Sequence, residues 1–448
     1  MVFILFVSAL LLRVFFLSPW LEDWDSVQFA MGLHDFNVVN HQPHPPGYIL
    51  YIALGKLLYL FTQNDTLALT SLSAILGSFS IFPFYLLIKK MAPKANAPTL
   101  SAIFMIAPLQ WNLSLNALSN IPGMAFCLIS IYFIHKGKGS SNSLLLGSFL
   151  AGITLGVRFA EYTILISLIA FIVLYKKSIL LFLKSIIYFL CGVFFWLIPL
   201  ILDTGLNKFI NSYRLEVAYI SDHDSIGSLT IHNLSSRFTE ISHLFEISLT
   251  IYFSLAIGLI IAGIPFYKKR VLNFNSFFVF VWILSYLIPL VFFYSTKLPR
   301  DILPLLPPII IAFGIISQNF SKIIVIPIYI IFITMFFKTG LIQAKQVHSL
   351  TPPSIAPVNY VAKHYSLEET IIVSSFTYRQ FQYYAPKYKN YWDKAPNKIE
   401  ESTIIVDSAQ LTKNIPNDYT LVNIKQFSGP EEIFPRLPEI SLYIFNYH

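Results

Sequence analysis

Apolar residues run along this chain in long, nearly unbroken blocks, near positions 2–18, 67–88, 97–113, 118–135, 143–157, 162–175, 179–202, 244–267, 274–294, 301–318 and 322–338. A helix needs about 20 apolar residues to cross the hydrocarbon core of a bilayer, so the pattern predicts about eleven membrane-spanning helices. A further apolar stretch, 47–62, carries Lys56 in its middle. Charge decides its role. The clusters Lys89/Lys90/Lys94, Lys136/Lys138, Lys176/Lys177 and Lys268/Lys269/Arg270, with Lys322 alone, share one side of the membrane only if 47–62 does not cross. Basic residues gather on the cytoplasmic side. The stretch is therefore expected to lie along the membrane surface as an amphipathic helix. The N-terminus is then cytoplasmic and the C-terminus extracytoplasmic, in a multi-pass protein of the cell membrane. The first block lacks a basic leader and holds Arg13, so it reads as an uncleaved span rather than a signal peptide.

The pattern changes after residue 338. Short β-rich runs at 370–374, 403–407, 419–424 and 440–445 alternate with turn and helical segments, the signature of strands in a small α/β unit. The chain thus divides into an α-helical polytopic domain, 1–338, and an extracytoplasmic α/β domain, 339–448. Two long external loops interrupt the first, at 19–66 and 203–243. Within the second, 206–220 has helical spacing and is expected to form a surface helix over the substrate.

Composition agrees with this division. The chain is 55% apolar and 12% charged over 448 residues, too little polar surface for a soluble protein of that size. Its net charge of +8 sits in short clusters between apolar blocks. Such clusters orient a membrane protein, and no nucleic-acid partner is expected. Cys127 and Cys191 both lie inside apolar blocks and read as core residues, not a disulfide or metal framework.

Candidate chemistry concentrates just after the first block, at Glu22-Asp23-Trp24-Asp25-Ser26. Glu22, Asp23, Asp25 and Asp35 fall within fourteen residues with no Lys or Arg among them. Such acids are either solvated loop groups or parts of a site, because a carboxylate at a membrane surface is costly unless it faces water or a ligand. The run His41-Gln42-Pro43-His44-Pro45-Pro46-Gly47-Tyr48 follows, its backbone narrowed by three prolines. His41 and His44 alone do not establish a metal site, for want of a third ligand. No cofactor is required, and dependence on a divalent metal is left open.

At this point the sequence resembles a known group. Asp25-Ser26-Val27-Gln28-Phe29-Ala30 followed by His44-Pro45-Pro46-Gly47-Tyr48 resembles the first external loop of the GT-C glycosyltransferases. Within that group it looks most like the family 39 protein O-mannosyltransferases, the bacterial aminoarabinose lipid A transferases and bacterial proteins with an HPPG run. Ala117-Leu118-Ser119-Asn120-Ile121-Pro122-Gly123, Leu155-Gly156-Val157-Arg158-Phe159 and Lys297-Leu298-Pro299-Arg300-Asp301-Ile302-Leu303-Pro304-Leu305-Leu306-Pro307 extend the resemblance over about residues 1–320. It implies an acidic catalytic residue early in the loop, with a surface helix after the proline pair. Ser26 stands where the family often has a second acid, which leaves Asp25 and Asp23 both as candidates, Asp25 the better by register. Asn120 likewise stands where an acid is common. The implied activity is transfer of a sugar, with inversion, from a polyprenyl-phosphate donor to a glycan, lipid or protein acceptor at the outer face of the membrane.

That reaction needs a base for the acceptor and cations for the departing phosphate. Arg158 and Arg300 fall at the outer ends of expected spans, where guanidinium groups match phosphate oxygens in pairs. Lys297 and a proline frame accompany Arg300, and His44 is placed to donate to phosphate or acceptor. The plainer readings are interfacial arginines snorkelling to headgroups, and Arg158 pairing with Glu161. Asp222-His223-Asp224 reads as a solvated loop. A transporter or flippase of lipid-linked sugars is the alternative function. It calls for ionisable groups deep in spans, for which Arg13 is the candidate. A non-catalytic scaffold is a third reading. If the site lies within residues 1–320, the tail is dispensable for the chemistry.

Overall fold

The computed structural model describes residues 1–223, 237, 239–244, 273–292, 298–396 and 402–447. Lys297, Asp224, the cluster Lys268/Lys269/Arg270 and nearly all of the expected span 244–267 lie outside the described residues. The protein is an α-helical polytopic membrane protein with a small C-terminal sheet domain. Among the described residues, six helices are long and apolar enough to cross a membrane: Asp65–Met91, Phe159–Lys176, Ile179–Thr204, Phe274–Phe292, Pro299–Ser317 and Lys322–Ser349. Val2–Val14, Ile49–Thr62, Ala97–Ile106 and Ser141–Val157 are shorter apolar helices, and Asn120–Lys136 is a further helix.

Three departures from the sequence pattern have local causes. The block 97–113 is two helices, Ala97–Ile106 and Pro108–Leu113, because Pro108 offers no amide hydrogen to continue the ladder. Arg13 serves that break. Its guanidinium donates to Met105 O (2.8 Å) just before the break, to Gln110 Oε1 just after it, and to Ala9 O (3.0 Å) in its own helix. The deep charge is thus a stitch between helices, satisfying a carbonyl that lipid could not. The block 301–318 opens with a 3-10 turn, Pro299–Leu305. The last apolar helix runs past residue 338 to Ser349, so the boundary expected at 338/339 falls inside one helix. Its 28 residues reach about 42 Å, some 12 Å beyond a hydrocarbon core of about 30 Å.

Close helix contact comes from small residues. A methyl group on Gly152 would lie 2.2 Å from Phe189 O, and one on Gly192 would lie 2.1 Å from Phe149 O. The helices Ser141–Val157 and Ile179–Thr204 therefore cross backbone to backbone, as small residues permit in membranes. Trp196 Nε1 donates across the same seam to Gly152 O (2.9 Å).

The tail holds one five-stranded sheet of β1 (Thr370–Ser374), β2 (Lys389–Trp392), β3 (Thr403–Val406), β4 (Tyr419–Ser428) and β5 (Glu439–Tyr447). Their order is β2-β1-β3-β5-β4, with β2, β1 and β3 parallel, β5 antiparallel to β3, and β4 antiparallel to β5. Every residue of β1 is buried, as expected of a central parallel strand covered on both faces. The helices Ala356–His364 and Tyr378–Tyr384 supply one cover through Val358, Val361 and Phe381.

The tail is fastened to the loop after the first helix. Leu21 N donates to Tyr384 Oη (2.8 Å), and Glu22 O accepts from Ser354 Oγ (2.8 Å) and Gln380 Nε2 (2.8 Å). Tyr383 Oη donates to Asp65 Oδ2 (2.7 Å) at the start of the next long helix.

Candidate active site

The loop after the first helix forms its own helix, Trp24–His34, capped by Asp23, whose Oδ1 accepts from Asp25 N (2.9 Å). Capping fixes Asp23 and sets Asp25 in the first turn, where the positive end of the helix favours carboxylates. Phe29 anchors the helix. It lies edge-on to Tyr48 (5.2 Å) and Tyr51 (4.8 Å), which open the helix Ile49–Thr62. Burying a Phe contributes about 1.5–3 kcal/mol. Between the two helices the proline run turns back at His44, whose carbonyl accepts from Gly47 N (3.0 Å).

Two carboxylates and two arginines interlock at this point. Arg300 donates through Nη1 to Asp23 Oδ2 (3.0 Å) and through Nη2 to Asp25 Oδ2 (3.1 Å). Arg436, from the tail, donates to Asp23 Oδ1 (3.0 Å) and stands 3.8 Å from Asp25 Oδ1. Arg300 is presented by the 3-10 turn with prolines at 299 and 304, and Tyr286 Oη holds that turn by donating to Asp301 O (2.8 Å). Burial opposes ionisation of Asp25, but Arg300, His44, Arg436 and Arg158 outweigh it and hold this carboxyl well below the usual range. Glu22 behaves oppositely. Burial, and then the neighbouring Asp23, push its carboxyl up to about 8 against the pull of Arg300.

His44 sits beside this cluster, its Nδ1 3.9 Å from Asp25 Oδ1. Burial first, and the nearby arginines with it, lower its pKa against the pull of Asp25. A neutral ring fits its partners, with Nδ1 donating to Gln28 Oε1 (2.8 Å) and Nε2 accepting from Tyr48 Oη (3.1 Å). Both nitrogens are thereby engaged by the protein.

Asp23, Asp25, His44, Arg300 and Arg436 share the wall of one cavity of about 1160 Å³, together with Glu22. The helix Leu206–His223 closes one side, contributing Leu215, Glu216, Tyr219 and Ile220. The expected surface helix of the second long loop is therefore a wall of the site.

Arg158 takes a different place. It is not among the residues lining the cavity, and donates through Nη1 to Ser119 Oγ (3.1 Å), with Nε 3.9 Å from Glu161 Oε1. A methyl group on Gly123 would lie 2.6 Å from Arg158 Cβ. The segments 117–123 and 155–159 are thus one packed unit that sets a positive charge near Asp25 and His44. Lys297 lies outside the described residues. Of the expected site residues, Asp23, Asp25, His44 and Arg300 converge directly, and Arg158 acts from behind them.

Arg436 is the residue sequence reasoning missed. Its one signal is local: Pro435-Arg436-Leu437-Pro438 sets an arginine directly after a proline, as Pro299-Arg300 does in the longer proline frame.

No protein-family model and no curated protein sequence matches the chain. Solved structures do. ArnT from Cupriavidus metallidurans bound to undecaprenyl phosphate superimposes with a TM-score of 0.64 at 10% identity, over 99% of this chain and 97% of that one. Its apo form gives 0.64 at 11% identity over the same shares. The Archaeoglobus fulgidus oligosaccharyltransferase in its apo form gives 0.51 at 12% identity, over 87% of this chain and 64% of that one. The chain shares its fold with these structures over nearly its whole length.

Proposed function

We propose that this chain is a membrane glycosyltransferase that moves a sugar from a polyprenyl-phosphate donor to an acceptor hydroxyl at the outer face of the membrane. The observation that carries the reading is the interlocked set Asp23, Asp25, Arg300 and Arg436 on one cavity wall. The polyprenyl lipid draws support from the shared fold of the ArnT structure bound to undecaprenyl phosphate. The outer placement rests on the basic clusters.

The geometry suits an exchange of partners. A donor phosphate presents oxygens of the same charge as the carboxylates and competes for the guanidinium groups of Arg300 and Arg436. Once they turn to phosphate, Asp25 loses the charges that keep it ionised, and its proton affinity climbs toward the range a base needs. The acceptor oxygen then attacks the anomeric carbon and gives its proton to Asp25. The bond from that carbon to the phosphate oxygen breaks with inversion, and the electron pair leaves on the polyprenyl phosphate, which the arginines stabilise. His44, fixed between Gln28 and Tyr48, positions Asp25 rather than touching the reacting atoms. Arg158 adds charge from behind.

The donor set does not suit a resident metal. Its carboxylates are tied to guanidinium groups, and among the described residues no three His, Cys, Asp or Glu side chains gather as ligands. No step is routed through one, and turnover should survive EDTA. The flippase alternative loses its deep charge, since Arg13 is committed to carbonyls and Gln110. The test incubates purified protein with a panel of polyprenyl-phosphate sugars and mixed acceptors and follows release of the lipid phosphate. Transport of the intact lipid-linked sugar without cleavage would sink the transferase reading.

A further inference from the structure

The loops that follow the three parallel strands of the tail all open onto the cavity: Ser375 and Phe376 after β1, Asp393 after β2, and Ser408 and Gln410 after β3. In open α/β sheets the carboxyl ends of parallel strands are where ligands settle, because the connecting loops converge there. This edge also carries a group of aromatic rings. Trp24 lies 6.0 Å from Trp392 and 6.4 Å from Tyr378, and Tyr378 stacks on Trp392 at 6.0 Å with 23° between planes. Trp392 is 51% exposed and Phe376 54% exposed, both on the cavity wall. Large rings left open on a cavity wall mark a surface that something covers.

The rings are held rigidly. The Arg379 guanidinium lies 5.8 Å from the ring centres of both Trp24 and Tyr378, and its Nη2 donates to Asn40 O (3.3 Å) in the first loop. Buried Asp407 fixes the loop bearing Phe376, accepting from Ser375 N, Thr377 N and Thr377 Oγ1, each at 2.8 Å. Trp24 immediately precedes Asp25 in the same helix, so these rings and the carboxylate keep a constant relation. A platform of this stiffness loses little freedom when a ligand arrives.

We propose that this wall is the acceptor subsite and that its occupant is a pyranose ring of a glycan. The C–H face of the ring rests on the Trp392 indole, and its hydroxyls reach Asp393, Ser408 and Gln410. An aromatic face carries negative charge density that attracts the polarised C–H groups of a sugar, while side-chain donors and acceptors around the rim take its hydroxyls. A lipid chain would instead have to desolvate Asp393 and Glu432, which share the wall. The proposal rests on the transferase reading for the word acceptor, but its binding test does not.

The test titrates the full-length protein in detergent with mannotriose, maltotriose, chitotriose and β-1,4-galactotriose, reading saturation-transfer NMR and tryptophan fluorescence. At least one trisaccharide should bind. Trp392→Ala should weaken it by about tenfold or more, the size of one aromatic stacking contact, while Trp392→Phe keeps most of the affinity. Undecaprenyl phosphate binding, measured in parallel, should stay unchanged in both variants and shows that they are folded. If Trp392→Ala does not fold, Asp393→Ala takes its place and should also weaken the sugar. Binding of none of the four sugars, wild-type affinity in the substituted proteins, or displacement by a serine- and threonine-containing hexapeptide or by phosphatidylglycerol vesicles would each overturn the assignment. Sugar binding that depends on Trp392 without cleavage of any polyprenyl-phosphate sugar would instead leave the platform standing and remove the transferase reading.

Discussion

Asp25 carries a charge that two arginines in direct reach and a third behind them all stabilise. Asp25→Asn keeps the shape and the hydrogen bonds of that side chain and removes the proton acceptor. Turnover should fall by about 10²–10⁴-fold, the usual contribution of a general base, with donor binding largely kept. Wild-type turnover in Asp25→Asn would exclude the base role and turn attention to Asp23. Arg300→Ala should weaken donor binding and turnover together, by about 10–100-fold for a lost charge-assisted contact. Arg300→Lys should recover only part, since a point charge cannot replace a two-pronged contact. Glu22 sets the pH dependence. Its carboxyl is neutral below about 8 and anionic above it, so rising pH adds negative charge to the cavity proposed to take the donor phosphate. The donor KM should climb above pH 8 while kcat holds, and Glu22→Gln should flatten that climb. A flat KM in the wild type would remove Glu22 from the site. The pair Asp25 and Arg300 was legible in the sequence because each stands in a short run of rare composition, acids without bases in one and prolines around a base in the other. Arg436 was not, because nothing in a linear pattern says that a residue 413 positions away will meet Asp23.

At the scale of elements, apolar runs located the six long apolar helices among the described residues, since an uninterrupted run is a local property, and missed the polar helix Trp24–His34. Such runs could not show the break at Pro108 as a working feature, because the partner that repairs it, Arg13, belongs to another helix. The helix Ile49–Thr62 is the element on which the topology turns. A reporter fused after Trp20 and one fused after Thr62 should both sit outside the cell, and one after Lys90 inside. A cytoplasmic signal at Thr62 would invert every later helix and put Arg300 across the membrane from Asp25, against their contact in the structure. The seam between Ser141–Val157 and Ile179–Thr204 gives a second element-scale expectation. Gly152→Leu must push apart two backbones already in contact, and forced overpacking costs about 1–3 kcal/mol or more. Because Arg158 caps the end of that helix, the variant should lose thermal stability and donor affinity together. Retention of both would show that the seam does not support the site.

Across the whole molecule, the tail is part of the site. Residues 1–320 supply both carboxylates, yet Arg436 completes the charge set, and Tyr384, Ser354 and Gln380 hold the backbone at Leu21 and Glu22, just before those carboxylates. A chain ending at Ser349 should insert normally and lose most transfer activity, against the sequence-based expectation of a dispensable tail. Arg436→Ala in the full chain should lose less, since docking survives. Equal activity in the truncated and complete chains would show that the tail serves only to recruit acceptors. The expectation of a dispensable tail followed from a site confined to residues 1–320, the stretch the resemblance covers, and a resemblance in one stretch says nothing of where the next one docks.

The distance along the chain between Asp23 and Arg436 also sets an order in time. The first loop leaves the ribosome 413 residues before the arginine that answers it, an interval of roughly 20–80 s at ~5–20 residues per second. Throughout that interval the half-made chain lacks Arg436, the second of the two cations that meet Asp23. The charge set on the cavity wall is therefore the last part of the molecule to be finished, and under the proposed function full activity waits until the last domain has folded against the first loop.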